Sequence, residues 1–188
     1  MSLHYRPNSD ELALHISKQF TINFGEQTSQ ALEYQYSFEN LNKIVREKLQ
    51  GIIEYDLALG VDNFSESGSL EIRNESDFTI FLDPLATPMR NNFTLAHELG
   101  HYFIHYLSQK NMVMKKLTNE DKQTITFTRL GSNRLEWEAN WFAVGFLMPK
   151  EKFKKIYQEY DRNLEKISAY FDTSTEACQY RAEHLHLT

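Results

Sequence analysis

Apolar positions recur along the chain with two different spacings. Leu12, Ile16 and Phe20 fall four apart, which stacks them on one helical face behind Ser9 or Asp10 as a cap, and a first helix is expected over residues 9–20. Residues 21–36 carry no clear period. Leu41, Ile44, Val45 and Leu49 form a second stripe with charges opposite, which predicts a helix from Phe38 to Leu49 that Gly51 ends. The spacing then shortens. Ile52, Ile53 and Tyr55 suggest a short strand. Ser69–Arg73 and Phe78–Leu82 suggest two more, joined as a hairpin across Asn74-Glu75-Ser76-Asp77. The acidic stretch from Leu57 to Gly68 reads as a solvated loop.

Beyond Pro84 and Pro88 the helical period returns. Phe93, Leu95, Ala96, Leu99, Tyr102, Phe103 and Ile104 make a helix so apolar that it must be packed on several sides, with Asn91 and Asn92 as expected caps. Gln123–Arg129 alternates as one more short strand. Helices are then predicted over Leu135–Met148 (stopped by Pro149), Lys150–Tyr160, Leu164–Phe171 and Ser174–Leu185, the last capped by Thr173 or Ser174. The expected architecture is α+β: a small sheet packed on helices, with the helix after Pro88 at the centre.

Composition narrows the function classes. A chain of 188 residues, 41% hydrophobic and 24% charged, suits one globular domain with a small helical appendage. We expect residues 1–35 to form an N-terminal helical extension and residues 36–188 the main domain. No signal-peptide pattern or long apolar run is visible, and Cys178 is the single cysteine, which excludes an internal disulfide; a cytoplasmic protein is expected. The formal charge of −6 argues against broad nucleic-acid binding, which depends on neutralising phosphates. The segment Ile167 to Leu185 has the cadence of a helix-turn-helix. Its second half sets Glu176 and Glu183 against the single Arg181, so packing against the rest of the protein is the better reading. Lys115 and Lys116 could attract an acidic peptide, but a solvated charge pair is the simpler reading.

The chemistry is concentrated on the central helix, which contains His97-Glu98-Leu99-Gly100-His101, an H-E-x-x-H pattern. Residues four apart on a helix share a face, so His97 and His101 can offer two imidazoles to one metal ion, with Glu98 placed to take a proton from water. The helix-interior Gly100 suggests a close approach by a strand or another helix. The pattern is short enough to arise by chance, so a third ligand is needed. Leu135–Met148 carries two carboxylates about 200° apart around the helix, Glu136 and Glu138. Glu136 shares its face with Asn140, whose side-chain oxygen could accept the second N–H of a histidine ligand. Glu138 shares its face with Phe142 and Gly145 and has no polar companion there. Glu136 is therefore favoured and Glu138 is the alternative. Three ligands and an open position describe a catalytic rather than a structural zinc site. His105 extends the line by one turn and is expected in the cleft or behind a ligand. Tyr102, Tyr106 and His105 are the nearby candidates to stabilise an oxyanion, none of them assignable from sequence. Trp137 and Trp141 read as packing or partner surface.

Arg90 to His105 (RNNFTLAHELGHYFIH) together with Glu136 to Pro149 (EWEANWFAVGFLMP) resembles the ImmA/IrrE family of zinc metallopeptidases, from about residue 40 to the C-terminus. The resemblance implies a compact zincin-like fold with Zn2+ on His97, His101 and Glu136, and with Glu98 as the catalytic base. Asn140 stands where related enzymes carry an aspartate that supports a ligand histidine. The resemblance also implies an endopeptidase that cleaves a helix-turn-helix transcriptional repressor or antitoxin-like partner, commonly encoded by bacteria or mobile elements. About 35 residues precede the second helix, too few for a fused DNA-binding domain, so the partner is expected to be a separate protein. The competing expectation is a catalytically weak zincin-like binding module, or a toxin–antitoxin component that acts by gripping its partner.

Overall fold

The computed structural model describes residues 9–59, 68–108, 124–127 and 133–188. Most of the expected acidic loop, the lysines Lys115 and Lys116, and the flanks of the strand expected over Gln123–Arg129 lie outside the described residues. Among those described, seven helices surround one four-stranded sheet, and the α+β reading holds.

The first helix, α1 (Ser9–Ala31), runs well beyond the expected end at residue 20. The stripe that predicted it is not what buries it, since Leu12, Ile16 and Phe20 are exposed. The buried face is formed farther on by Thr21, Ile22, Gly25, Thr28 and Ser29. Small and hydroxyl residues carry no apolar period, yet they let a second helix come close, which is why residues 21–31 looked unstructured in the sequence. After a tight turn, α2 (Phe38–Lys43) starts with Ser37 accepting a hydrogen bond from the Asn40 amide at 3.2 Å. Its continuation Ile44–Lys48 widens into a π-helical turn before Gly51.

Strand β1 (Ile52–Tyr55) lies parallel to β3 (Asp77–Leu82), which pairs antiparallel with β2 (Gly68–Asn74). β4 (Ile125–Phe127) closes the order β1-β3-β2-β4, antiparallel to β2. The β2–β3 hairpin is the predicted one; Asn74 accepts from the Ser76 amide at its tip, as an asparagine does in a tight turn. Leu70, Ile72, Phe78, Ile80 and Leu82 bury the inner face of the sheet.

The central helix α3 (Pro88–Gly100) packs on that face and continues as a π-helical segment, His101–Leu107. Its cap is Thr87, which accepts from the Arg90 amide at 3.2 Å, with Pro88 opening the first turn. Asn91 and Asn92, the expected caps, are instead buried inside the helix. Asn91 donates to the Asp83 carbonyl, and Asn92 donates to the Asp172 carbonyl and the Tyr34 hydroxyl. Tyr102 stacks its ring 4.4 Å from that of Phe78 and donates its hydroxyl to the Glu75 carbonyl, pinning the hairpin tip to the helix.

On its other side α3 meets α4 (Asn133–Leu147), which in turn packs along α1. The approach is closest at Gly100, where a Cβ would stand 3.0 Å from the Ala139 Cα and 3.3 Å from the Phe142 Cβ. The close neighbour expected beside this glycine is thus a helix. Phe142 is fully buried at the junction, with its ring about 6 Å from those of Phe24 and Phe103; removing such a side chain costs about 3–5 kcal/mol. The chain ends with α5 (Lys150–Glu159), α6 (Leu164–Phe171) and α7 (Thr175–His184), the last capped by Ser174. Arg181 of α7 is fully buried; it donates to the Met148 carbonyl at 2.9 Å and pairs with Glu26 of α1. The single basic residue of the helix-turn-helix-like segment therefore ties the C-terminus to the core. No helix among the described residues is long and apolar enough to cross a membrane.

Candidate metal centre

Two crossing helices build the centre. The last turn of α3 and the start of its π-helical continuation present His97 and His101 on one face, and α4 presents Glu136 from its first turn. His97 Nε2 and His101 Nε2 lie 3.1 Å apart. Glu136 brings Oε2 to 3.3 Å from the first and Oε1 to 3.4 Å from the second. Both histidines are buried, and the Glu136 Oε1 atom is buried without a hydrogen-bond partner. Leaving such an atom unsatisfied costs about 1–3 kcal/mol, so three electron-rich donors converging here call for a cation.

The donor set fits a small divalent ion. Three donors each about 2.0–2.1 Å from a shared tetrahedral ion stand roughly 3.4 Å from one another, close to the spacing observed. Imidazole and carboxylate together suit zinc, and among the described residues these three form the one group of histidine, cysteine or acidic side chains able to hold a metal.

The remote nitrogens are also held. Asn140, one turn beyond Glu136, places Oδ1 2.9 Å from His97 Nδ1, the contact anticipated from its spacing. An amide oxygen only accepts, so His97 carries its proton on Nδ1 and leaves Nε2 bare towards the centre. His101 Nδ1 meets His105 Nδ1 at 2.9 Å. His105 thus lies buried behind a ligand; burial, reinforced by His101, pushes its pKa down to about 4.

Glu138 departs from expectation. It has polar companions from three elements: Ser17 of α1 donates to Oε1 at 2.9 Å, Arg134 donates to the same oxygen at 3.0 Å, and His105 Nε2 stands 3.2 Å from Oε2. Burial would raise its carboxyl, yet the hydrogen bonds from Arg134, Ser17 and His105 more than offset this and hold it below the ordinary range. Arg134 lies four residues before Glu138 and was legible as a helical pair. Ser17 is 121 residues away and had no local signal.

Glu98, next in sequence to His97, is buried on α3. Gly68, the first residue of β2, faces it; a Cβ there would lie 3.2 Å from Glu98 Oε1 and 2.4 Å from Thr94 Cγ2. Only a glycine lets the strand start this close to the acid, and sequence reading gave no sign of it. Of the oxyanion candidates, Tyr102 gives its hydroxyl to the hairpin, His105 lies between His101 and Glu138, and Tyr106 is buried in the core. A cleft of about 420 Å³, lined in part by Arg90, Phe93, Thr94 and Thr173, opens along α3 one turn before Glu98. Trp137 is half-exposed beside Glu136, its ring 6.3 Å from that of Trp141.

Comparison with known proteins adds two findings. The profile of the peptidase M78 family, described as the IrrE N-terminal-like domain, matches residues 62–183. Among solved structures, a Mycobacterium tuberculosis transcriptional regulator shares the fold with a TM-score of 0.59 at 13% identity. The alignment covers 88% of this chain and 46% of the regulator, so the chain spans about half of that protein's length. No curated protein matches the sequence.

Proposed function

The chain belongs to the peptidase M78 family, and from that premise we propose that it is a zinc-dependent endopeptidase that cuts a separate helix-turn-helix repressor or antitoxin-like protein. Membership supports a metallopeptidase-like activity. The observation that carries the finer reading is the convergence of His97, His101 and Glu136, with Glu98 buried next in sequence to His97 on the same helix.

In this reading His97, His101 and Glu136 hold Zn2+, which when bound supplies Lewis acidity towards a peptide carbonyl and lowers the pKa of water. Glu98 takes the proton of the attacking water and passes it to the leaving amine, work that is worth about 10²–10⁴-fold in rate for a positioned acid–base group. Burial of Glu98 beneath Gly68 keeps bulk water from competing for that proton. The cleft along α3, which reaches Thr94 one turn before Glu98, gives an extended segment a place to lie on the approach to the site. A folded repressor offers such a segment only in a loop or a locally opened element, so cleavage at one or a few sites is expected.

The test is co-expression with a helix-turn-helix regulator encoded beside the gene, followed by intact-mass analysis of both proteins. A discrete fragment pair should appear with the wild type and vanish with Glu98→Gln, which keeps its metal. A regulator left whole, while the enzyme cuts an unrelated peptide, would overturn the substrate class and leave the hydrolase standing. Equal biological output from Glu98→Gln and wild type would point to a binding module instead.

A further inference from the structure

The two ligand histidines are supported differently. His97 rests on the neutral amide of Asn140, whereas His101 is backed by His105 and then by the carboxylate of Glu138. All members of this second chain are buried, and its far end is anchored twice, by Arg134 on the same helix and by Ser17 from α1.

We infer that Glu138 and His105 form a hydrogen-bond relay that fixes His101 in its Nδ1–H form and turns a bare Nε2 towards the metal position. Each contact takes one proton. A carboxylate only accepts, so the contact between His105 Nε2 and Glu138 Oε2 carries its proton on His105. That leaves His105 Nδ1 as the acceptor in a neutral ring, and the proton shared at 2.9 Å belongs to His101 Nδ1. His101 Nε2 is then unprotonated, the state a metal requires. With no metal present, Glu136 Oε1, 3.4 Å from His101 Nε2, favours a proton on that nitrogen; the relay opposes it from the other side of the ring and favours the bare Nε2 that a metal takes. His105 and Glu138 act here as positioning residues. The relay also gives α1 a part in the centre: Ser17 occupies Glu138 Oε1 together with Arg134 and leaves Oε2 to His105.

The inference rests on the proposed zinc reading, but its central test needs no metal. Full-length protein labelled with 15N-histidine is stripped of metal and observed by NMR at mildly alkaline pH, with the ring signals assigned by single-histidine variants. In the wild type both His97 and His101 should be Nδ1–H. In His105→Phe the His101 ring should change form while His97, held by Asn140, does not; a general loss of structure would move both. The conservative variant Glu138→Gln, whose amide oxygen can still accept from His105, should largely retain the His101 form, whereas Glu138→Leu should lose it.

Zinc affinity, read by competition with a chromogenic chelator, should fall by about 10- to 100-fold in His105→Phe and Glu138→Leu. It should fall less in Ser17→Ala. Wild-type His101 found as Nε2–H, or unmoved by His105→Phe and Glu138→Leu, would overturn the relay. A wild type that takes up no zinc would overturn the metal reading instead, and the ring measurement would still decide the relay.

Discussion

At the residue scale, the centre divides between side chains that give an atom to the cluster and those that hold the givers in place. Asn140 belongs to the second group. Asn140→Ala should weaken zinc binding by about 10- to 100-fold while Asn140→Asp keeps it, as competition titration would show. The ligands and Asn140 were legible because they lie four apart on their helices, a spacing that survives folding unchanged. The pairing of Glu138 with Arg134 is local, but its contacts with Ser17 of α1 and His105 of the π-helical segment are not legible, because an apolar or polar pattern describes one element at a time. A separate residue predicts the response to acid. His184, on α7, is pushed down to about 4 from an ordinary 6.5, first by burial and then by the charges of Arg181, Lys18, His186 and His15. Between these values the unfolded chain binds a proton that the folded chain refuses, so stability should fall as pH drops through that window and the contribution should be flat below it. His105 titrates over the same range, so the measurable quantity is a difference: urea midpoints of His184→Gln should decline less than those of wild type between about 6.5 and 4. Parallel declines would refute the assignment.

At the scale of elements, the fold depends on how closely α4 can lie against α3. The apolar content of α3 announced a buried helix and Gly100 announced a close neighbour, both from sequence. That the neighbour is the helix carrying the third ligand follows only from the three-dimensional crossing. Gly100→Ala tests that coupling. Alanine favours the helix by about 1 kcal/mol over glycine, whereas overpacking against Ala139 and Phe142 costs about 1–3 kcal/mol. Destabilisation should therefore win in thermal unfolding. Because the added methyl pushes against α4 three residues from Glu136, zinc affinity should fall as well. A variant that lost stability but bound zinc as tightly as wild type would show that Glu136 keeps its position without this packing. The π-helical turns at Ile44–Lys48 and His101–Leu107 were invisible beforehand, since an apolar stripe does not distinguish a helix of slightly wider winding. The second of them starts at a proposed ligand and carries His105. The full length of α1 is hidden for a related reason: apart from Ile22, its buried face is made of threonine, serine and glycine, and an apolar period does not register it.

For the whole molecule, the question is whether the C-terminal helices share in the stability that a metal would bring. Cys178 reports on this from a distance. It is fully buried on α7, its thiol is pushed up to about 12 chiefly by burial, and its sulfur rests 3.9 Å from that of Met148. A thiol reacts as its thiolate, so in the native protein alkylation at mildly alkaline pH must wait for the helix to open. Zinc at about a thousand times its dissociation constant stabilises the folded state by about 4 kcal/mol, close to a thousandfold in the population of globally opened molecules. If α6 and α7 opened by themselves, Cys178 would react at the same rate with and without zinc. The structure argues otherwise. Arg181, fully buried, binds the Met148 carbonyl at the end of α4 and the Glu26 carboxylate of α1, so α7 cannot leave without stranding a charge in the core. Saturating zinc should therefore slow Cys178 alkylation by a factor approaching the full stabilisation, a chelator should restore the faster rate, and His97→Ala should show no difference between the two conditions. Zinc-independent alkylation in wild type, with zinc uptake shown in the same sample, would mean that the Arg181 tie does not hold and that the C-terminal helices form a separately opening unit.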